Sequence, residues 1–241
     1  MISLLQEIGN RSQLPSLFED SDGEIKVVLD RLGNDLEPSI LIGGWATFIR
    51  IGGEISFDID LITSKESRHK LEQVVSDLSA SNNHQGRKLR ATVDNVHLDI
   101  YLPFESKLGD KLRLRVEVLA EYADEDTFEK WKLLNLEAHI ATKLAALLDR
   151  HFSLKGTKDA REVLALLKLD DVSPAIAAEV LTRASSLEAS VLPSLISEAF
   201  DLIPATVPLS KLDKKLVLET KKAWINEIVK LQPAQQDRPS L

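Results

Sequence analysis

The run Leu41-Ile42-Gly43-Gly44-Trp45-Ala46, followed by Ser56-Phe57-Asp58-Ile59-Asp60-Leu61, constrains this chain more than any other stretch. A glycine pair ends an apolar run and opens a helix, and twelve residues after Gly44 come a serine and two aspartates separated by one isoleucine. Successive side chains on a strand point to opposite faces, so Asp58 and Asp60 are expected on one face, with Phe57, Ile59 and Leu61 turned into a core. Two adjacent carboxylates repel unless a cation lies between them. Hard oxygen ligands of this kind suit Mg²⁺, or Mn²⁺, that also touches substrate phosphates. A helix N-terminus offers unpaired N–H groups to such a phosphate, and glycine lets the backbone come close. Taken alone, a Gly-Gly pair is usually a turn and Asp-x-Asp a solvated strand end. Their ordered combination suits a site for a nucleoside triphosphate and its metal ions.

The rest of the chain sorts into two halves. Residues 3–18 and 24–36 read as amphipathic helices, 39–43 as a strand, 44–51 as a helix, 57–63 as the strand carrying the aspartates, and 67–78 as a helix. Residues 79–86 are polar and read as a loop. Residues 87–93 and 96–102 read as a β-hairpin around Asp94-Asn95, with Asp99 on the polar face of its second strand. Residues 112–119 read as a further strand. Everything after about residue 127 reads helical, with a frayed tail from Gln232. The expected fold class is therefore α+β: a mixed-sheet domain with N-terminal helices over 1–125, then a helical-bundle domain over 126–241.

Composition excludes several function classes. There is no cysteine, which removes disulfides, thiolate zinc sites and a cysteine nucleophile. No stretch approaches the roughly 18–20 consecutive apolar residues of a membrane span, and the start lacks the pattern of a signal peptide. A cytoplasmic protein without a membrane partner is expected. The net charge of −8 argues against a uniformly basic nucleic-acid binder. Local basic patches remain: Arg87, Lys88 and Arg90, then Lys107, Lys111, Arg113 and Arg115, with Lys155 and Lys158 further on. Their plain reading is a solvated strand face. If 112–119 is a strand, Lys111, Arg113 and Arg115 would form a row about 6–7 Å apart.

Gly43-Gly44, Ser56, Asp58 and Asp60, then Asp99 on a later strand, resemble the nucleotidyltransferase superfamily related to DNA polymerase β. Residues 142–167, with Lys143, Arg150, Lys158-Asp159 and Glu162, look like its AbiEii/AbiGii branch, whose MenT-like members are toxins of toxin–antitoxin pairs. The resemblance covers about residues 38–168. It implies a two-metal transfer of a nucleoside monophosphate from an NTP to an acceptor, with Asp58 and Asp60 binding both ions, Mg²⁺ or Mn²⁺, and Asp99 a further ligand of one. Gly43, Gly44 and Ser56 would cradle phosphate, and Lys143 and Arg150 would neutralise it. Asp159 would hold Lys143 or serve acceptor chemistry. The implied acceptor is RNA, above all the 3′ end of tRNA, with Lys111, Arg113, Arg115 and Lys158 as contacts, and the implied partner is a cognate antitoxin protein. Two positions depart from the pattern. Glu54 stands where relatives often carry an arginine, which removes a phosphate contact, and Glu162 is the second acid of the later motif.

The residues themselves add to this. His139, Lys143, Ala146 and Arg150 fall in one stripe at about 100° per residue, beside an apolar stripe of Leu136, Ile140, Leu144 and Leu147. A basic stripe suits a triphosphate; its plain reading is pairing with nearby acids, and His139 alone reads as structural. Three rivals stand beside an RNA-modifying toxin: a small-molecule (antibiotic) nucleotidyltransferase, a protein AMPylator, and a catalytically silent binding module of the same fold.

Overall fold

Alternate residues of the central strands bury one side of a sheet against a helix that the periodicity of Ile25, Val28, Leu29 and Leu32 already marks. A computed structural model of the chain describes residues 25–32, 36, 39–64, 67–84, 86–128, 131–169 and 172–232. The helix expected over 3–18 and the tail beyond 232 lie outside them. The described chain is α+β, with a mixed sheet and a helical part, as expected. It forms two compact units, 1–107 with 123–134 and 108–122 with 135–241.

In the first unit, α1 spans residues 25–32, β1 Ser39–Ile42, α2 Gly43–Ile51, β2 Asp58–Thr63, α3 Arg68–Val74, β3 Ser76–His84, β4 Gly86–Val93 and β5 Val96–Tyr101. Strand β6 (Lys107–Leu108) leads out of it, and β8 (Ala123–Phe128) and β9 (Trp131–Leu134) return to it. The sheet order is β3-β4-β5-β2-β1-β9-β8. Strand β2 runs antiparallel to β1 and parallel to β5, and β1 runs parallel to β9. Leu41, Ile59, Leu61, Leu98 and Ile100 fill one face with α1, Leu71 and Trp131, whose Nε1–H donates to the Leu29 carbonyl at 3.1 Å. The β4–β5 hairpin turns at Asp94 and Asn95, both at positive φ (47° and 67°), as a two-residue loop matched to strand twist requires.

The second unit holds β7 (Leu114–Arg115), α4 (Val116–Ala120), α5 (Leu136–Arg150), α6 (Leu154–Leu166), α7 (Pro174–Ala184), α8 (Leu192–Thr206) and α9 (Lys211–Leu231). Asn135, Ser153, Ser173 and Ser210 cap α5, α6, α7 and α9, each side chain accepting from the backbone N–H of the third residue of its helix. Phe200 and Trp224 meet edge to face at 5.5 Å in its core. No described helix is long and apolar enough to cross a membrane.

Four local expectations are corrected. Residues 76–84 form strand β3, not the end of a helix and a loop. It is an edge strand whose first residues are mostly exposed, so it shows no apolar period. Residues 112–119 are not one strand. Leu112, Leu114, Val116 and Val118 are all buried, which imitates strand alternation, yet the backbone turns helical at Val116 and brings in Leu119 as well. Helix was expected from about residue 127, yet Ala123–Phe128 and Trp131–Leu134 are strands. They rejoin the sheet beside β1, and the compact units interleave in sequence. Phe57 precedes β2 and is 66% exposed rather than turned into the core.

Candidate active site

On β2, Asp58 and Asp60 are half-buried and alternate with the fully buried Ile59 and Leu61. Strand register pairs Asp60 with Asp99 of β5 and Asp58 with His97. In-register neighbours on adjacent strands present their side chains to the same face, so the three aspartates share one. On the other side of β2, Asp60 pairs with Ile42, immediately before the glycine pair.

Gly43 is tied to this face by sterics. Its φ is +69°, and an added Cβ would stand 2.8 Å from Asp60 Cγ and 2.9 Å from Asp60 Cβ. The backbone thus approaches the carboxylate as closely as only glycine permits. Gly44 is buried in the first turn of α2, and Thr47 donates its hydroxyl back to the Gly43 carbonyl at 3.0 Å. Ile42 precedes the helix and supplies no side-chain cap. Ser56 donates to Asp58 Oδ1 at 2.5 Å, so its hydroxyl orients this carboxylate. Glu54 is exposed.

Asp99 has company that the sequence reading did not assign to it. Lys88 of β4 donates to Asp99 Oδ2, and Arg90 Nε lies 3.4 Å from Oδ1. The Lys88 side chain is 8% exposed, and its ammonium stands 5.4 Å from the centre of the Tyr101 ring. Lys88 and Arg90 are thus ion-pair partners within the sheet rather than a solvated patch; the side chain of Arg87 lies outside the described ones. A usable signal was present. A two-residue loop at 94–95 pairs 93 with 96, which forces Arg90 opposite Asp99 and Lys88 opposite Tyr101.

Asp58 and Asp60 are a donor set that fits a divalent cation. Asp99, on the same face, holds Lys88 and Arg90.

The second unit brings together the other residues singled out. Lys143 is buried, donates to Glu162 Oε2 at 2.6 Å, and lies 3.8 Å from Asp159. Arg150 grips Asp159 with two hydrogen bonds, from Nε at 2.6 Å and Nη2 at 3.0 Å. Lys158 reaches Glu162 at 4.0 Å. Helices α5 and α6 are therefore joined by a buried ion cluster, in which Glu162 is a closer partner of Lys143 than Asp159 is. Burial pushes the Glu162 carboxyl above its usual range despite the opposing pull of Lys143. His139 is buried on the same helix.

The expected row does not form along one strand: Lys111 and Arg113 lie outside any strand, and β7 holds only Leu114 and Arg115. Lys111 pairs with Glu198 at 2.9 Å, Arg113 Nε donates to the Asp110 carbonyl at 3.0 Å, and Arg115 donates to the Arg183 carbonyl.

No protein-family model and no curated protein matches the chain. Solved structures similar to it include an antigenic nucleotidyltransferase-like protein from Paracoccidioides brasiliensis, with 16% identity over 78% of this chain and 95% of that one, at a TM-score of 0.42. Two structures of ANT(2″)-Ia are also similar. One is a complex with adenylyl-2″-tobramycin, with 15% identity over 86% of this chain and 99% of that one, at a TM-score of 0.34. The other is a solution structure of this antibiotic-resistance factor, with 16% identity over 89% and 96%, at a TM-score of 0.37. At these scores the likeness assigns no residue a role.

Proposed function

We propose that the chain is a nucleotidyltransferase that moves a nucleoside monophosphate from an NTP to an acceptor and releases pyrophosphate. The observation that carries this reading is the juxtaposition of Gly43 with the Asp60 carboxylate, on a face shared with Asp58 and Asp99. A helix start pressed against one metal-type carboxylate, with a second on the same face, suits phosphate and cation held side by side. Asp58 and Asp60 would hold Mg²⁺ or Mn²⁺, which when bound supplies charge neutralisation at the transferring phosphate. Ser56 orients Asp58, Gly43 and Gly44 admit phosphate to the backbone, and Asp99 accepts hydrogen bonds beside Asp60. Lys143 and Arg150, with Asp159 and Glu162, hold α5 against α6, a structural role that comes before any role toward triphosphate.

The resemblance to the MenT-like branch supports an RNA acceptor, the tRNA 3′ end first, and a toxin restrained by a cognate antitoxin. A small-molecule acceptor is the second reading. It is favoured by the commitment of Lys111, Arg113 and Arg115 to partners within the protein, on a chain of net charge −8. The test is incubation of the full chain and Mg²⁺ with each labelled NTP, in parallel with total RNA, total protein and a panel of hydroxyl-bearing antibiotics. The expected result is label on one acceptor class, lost in Asp58→Ala and in Asp60→Ala. Label retained in both variants, or on no acceptor at all, overturns the proposal.

A further inference from the structure

The third aspartate of the sheet face already has a cation, and it belongs to the protein. Lys88 sits on β4, between β3 and β5, nearly out of solvent, with its ammonium on Asp99 Oδ2, while Arg90 attends Oδ1. A divalent ion bridging Asp60 and Asp99 would have to compete for a carboxylate that Lys88 and Arg90 already hold. Lys88 has poor means of yielding it. Its ammonium would be left buried without its carboxylate, which is costly, and a dication arriving beside it would add like-charge repulsion in a medium of low polarity.

From this we infer that Lys88 occupies, as a fixed ammonium, the place at Asp99 that a second divalent cation would take, so that the face holds one divalent ion, on Asp58 and Asp60. Lys88 is a positioning residue: it neutralises Asp99 and sets the direction of its carboxylate beside Asp60. The hairpin register explains how this is built, since the tight turn at Asp94-Asn95 brings Lys88 and Arg90 alongside the strand that bears Asp99. The inference rests on the reading of Asp58 and Asp60 as metal ligands, and the experiment separates the two.

The full chain is titrated with Mn²⁺ alone, and free Mn²⁺ is followed by electron paramagnetic resonance. One bound ion per chain is expected, lost in Asp58→Asn and in Asp60→Asn. Lys88→Met removes the ammonium while keeping an unbranched side chain out to Cε, and should bind a second Mn²⁺ at least tenfold more tightly than any second ion on the wild type. Lys88→Arg should stay at one. Two ions on the wild type, or only one on a folded Lys88→Met variant, overturns the inference while leaving the metal reading of Asp58 and Asp60 intact. No bound ion on the wild type overturns that underlying reading instead. Should circular dichroism show Lys88→Met unfolded, amine acetylation of the wild type decides. Lys88 should stay protected when Mn²⁺ saturates the chain, and labelling that rises with Mn²⁺ would show displacement and refute the inference.

Discussion

Replacing Gly43 by alanine tests the geometry of the site with one methyl group. The position carries two separable penalties. Its φ of +69° is unfavourable for an L-residue, at about 1–2 kcal/mol. The new Cβ would also stand 2.8 Å from Asp60 Cγ, whereas carbon atoms prefer about 3.5–4.0 Å. The carboxylate must therefore retreat by roughly 1 Å, and a misplacement of that size costs on the order of a hundredfold in rate. Gly52 provides the control. It has the same φ of +69°, but a Cβ there meets nothing within 4 Å. Gly52→Ala should show the backbone penalty alone, a drop in melting temperature of roughly 2–8 °C, with transfer activity kept. Gly43→Ala should lose a similar amount of stability and in addition about a hundredfold of activity. The assays are thermal unfolding and single-turnover transfer of labelled nucleotide. Equal activities for the two variants would refute the argument that the Gly43 backbone abuts a working carboxylate.

Lys143→Ala should destabilise the chain by about 3 kcal/mol or more, because it strands Glu162 in a buried site; a change below 1 kcal/mol in urea unfolding would return the pair to the status of a surface bridge. Burial raises the Glu162 carboxyl above its ordinary 4.5, so its contribution is full below that value and fades as pH rises through the folded value. Glu162→Gln should therefore gain stability relative to wild type as pH rises from 4.5, and a flat difference between the two would contradict the shift. Hydrogen bonds from Lys168 and then Ser210 hold the Asp213 carboxyl below its ordinary 3.8, so its contribution is present above that value and is lost as pH falls through the folded one. The melting-temperature gap between wild type and Asp213→Asn should close in acid, and a gap that persists would refute the linkage. Lys111 and Glu198 are each about half exposed, so Lys111→Ala should change stability by less than about 1 kcal/mol; a larger loss in urea unfolding would mean that the pair is structural.

Local pattern made a good part of this protein legible. The alternation of Asp58, Ile59, Asp60 and Leu61 marked a strand with acids on one face, and strand β2 has that form. Asp94-Asn95 between alternating runs marked a hairpin, and its loop length set the pairing that puts Arg90 opposite Asp99. The apolar stripe of Leu136, Ile140, Leu144 and Leu147 marked a helix, and α5 carries it. Each of these signals is short-range, because the period of a strand or helix and a turn's dihedral angles involve only a few neighbouring residues.

Only the tertiary structure decided the rest, and the reason is the same in each case. Strand β3 is polar because it lies at the sheet edge, and β9 is a strand because β1 lies beside it; neither fact is written in its own residues. The turn to helix at Val116 depends on where Leu119 can be buried. A lysine reads as surface until something covers it, and Lys88 and Lys143 are both covered, each with a carboxylate brought from another strand or helix. Burial and long-range pairing belong to the environment that the whole chain builds, so a residue's charge state and partner follow from what surrounds it rather than from its letter in the sequence.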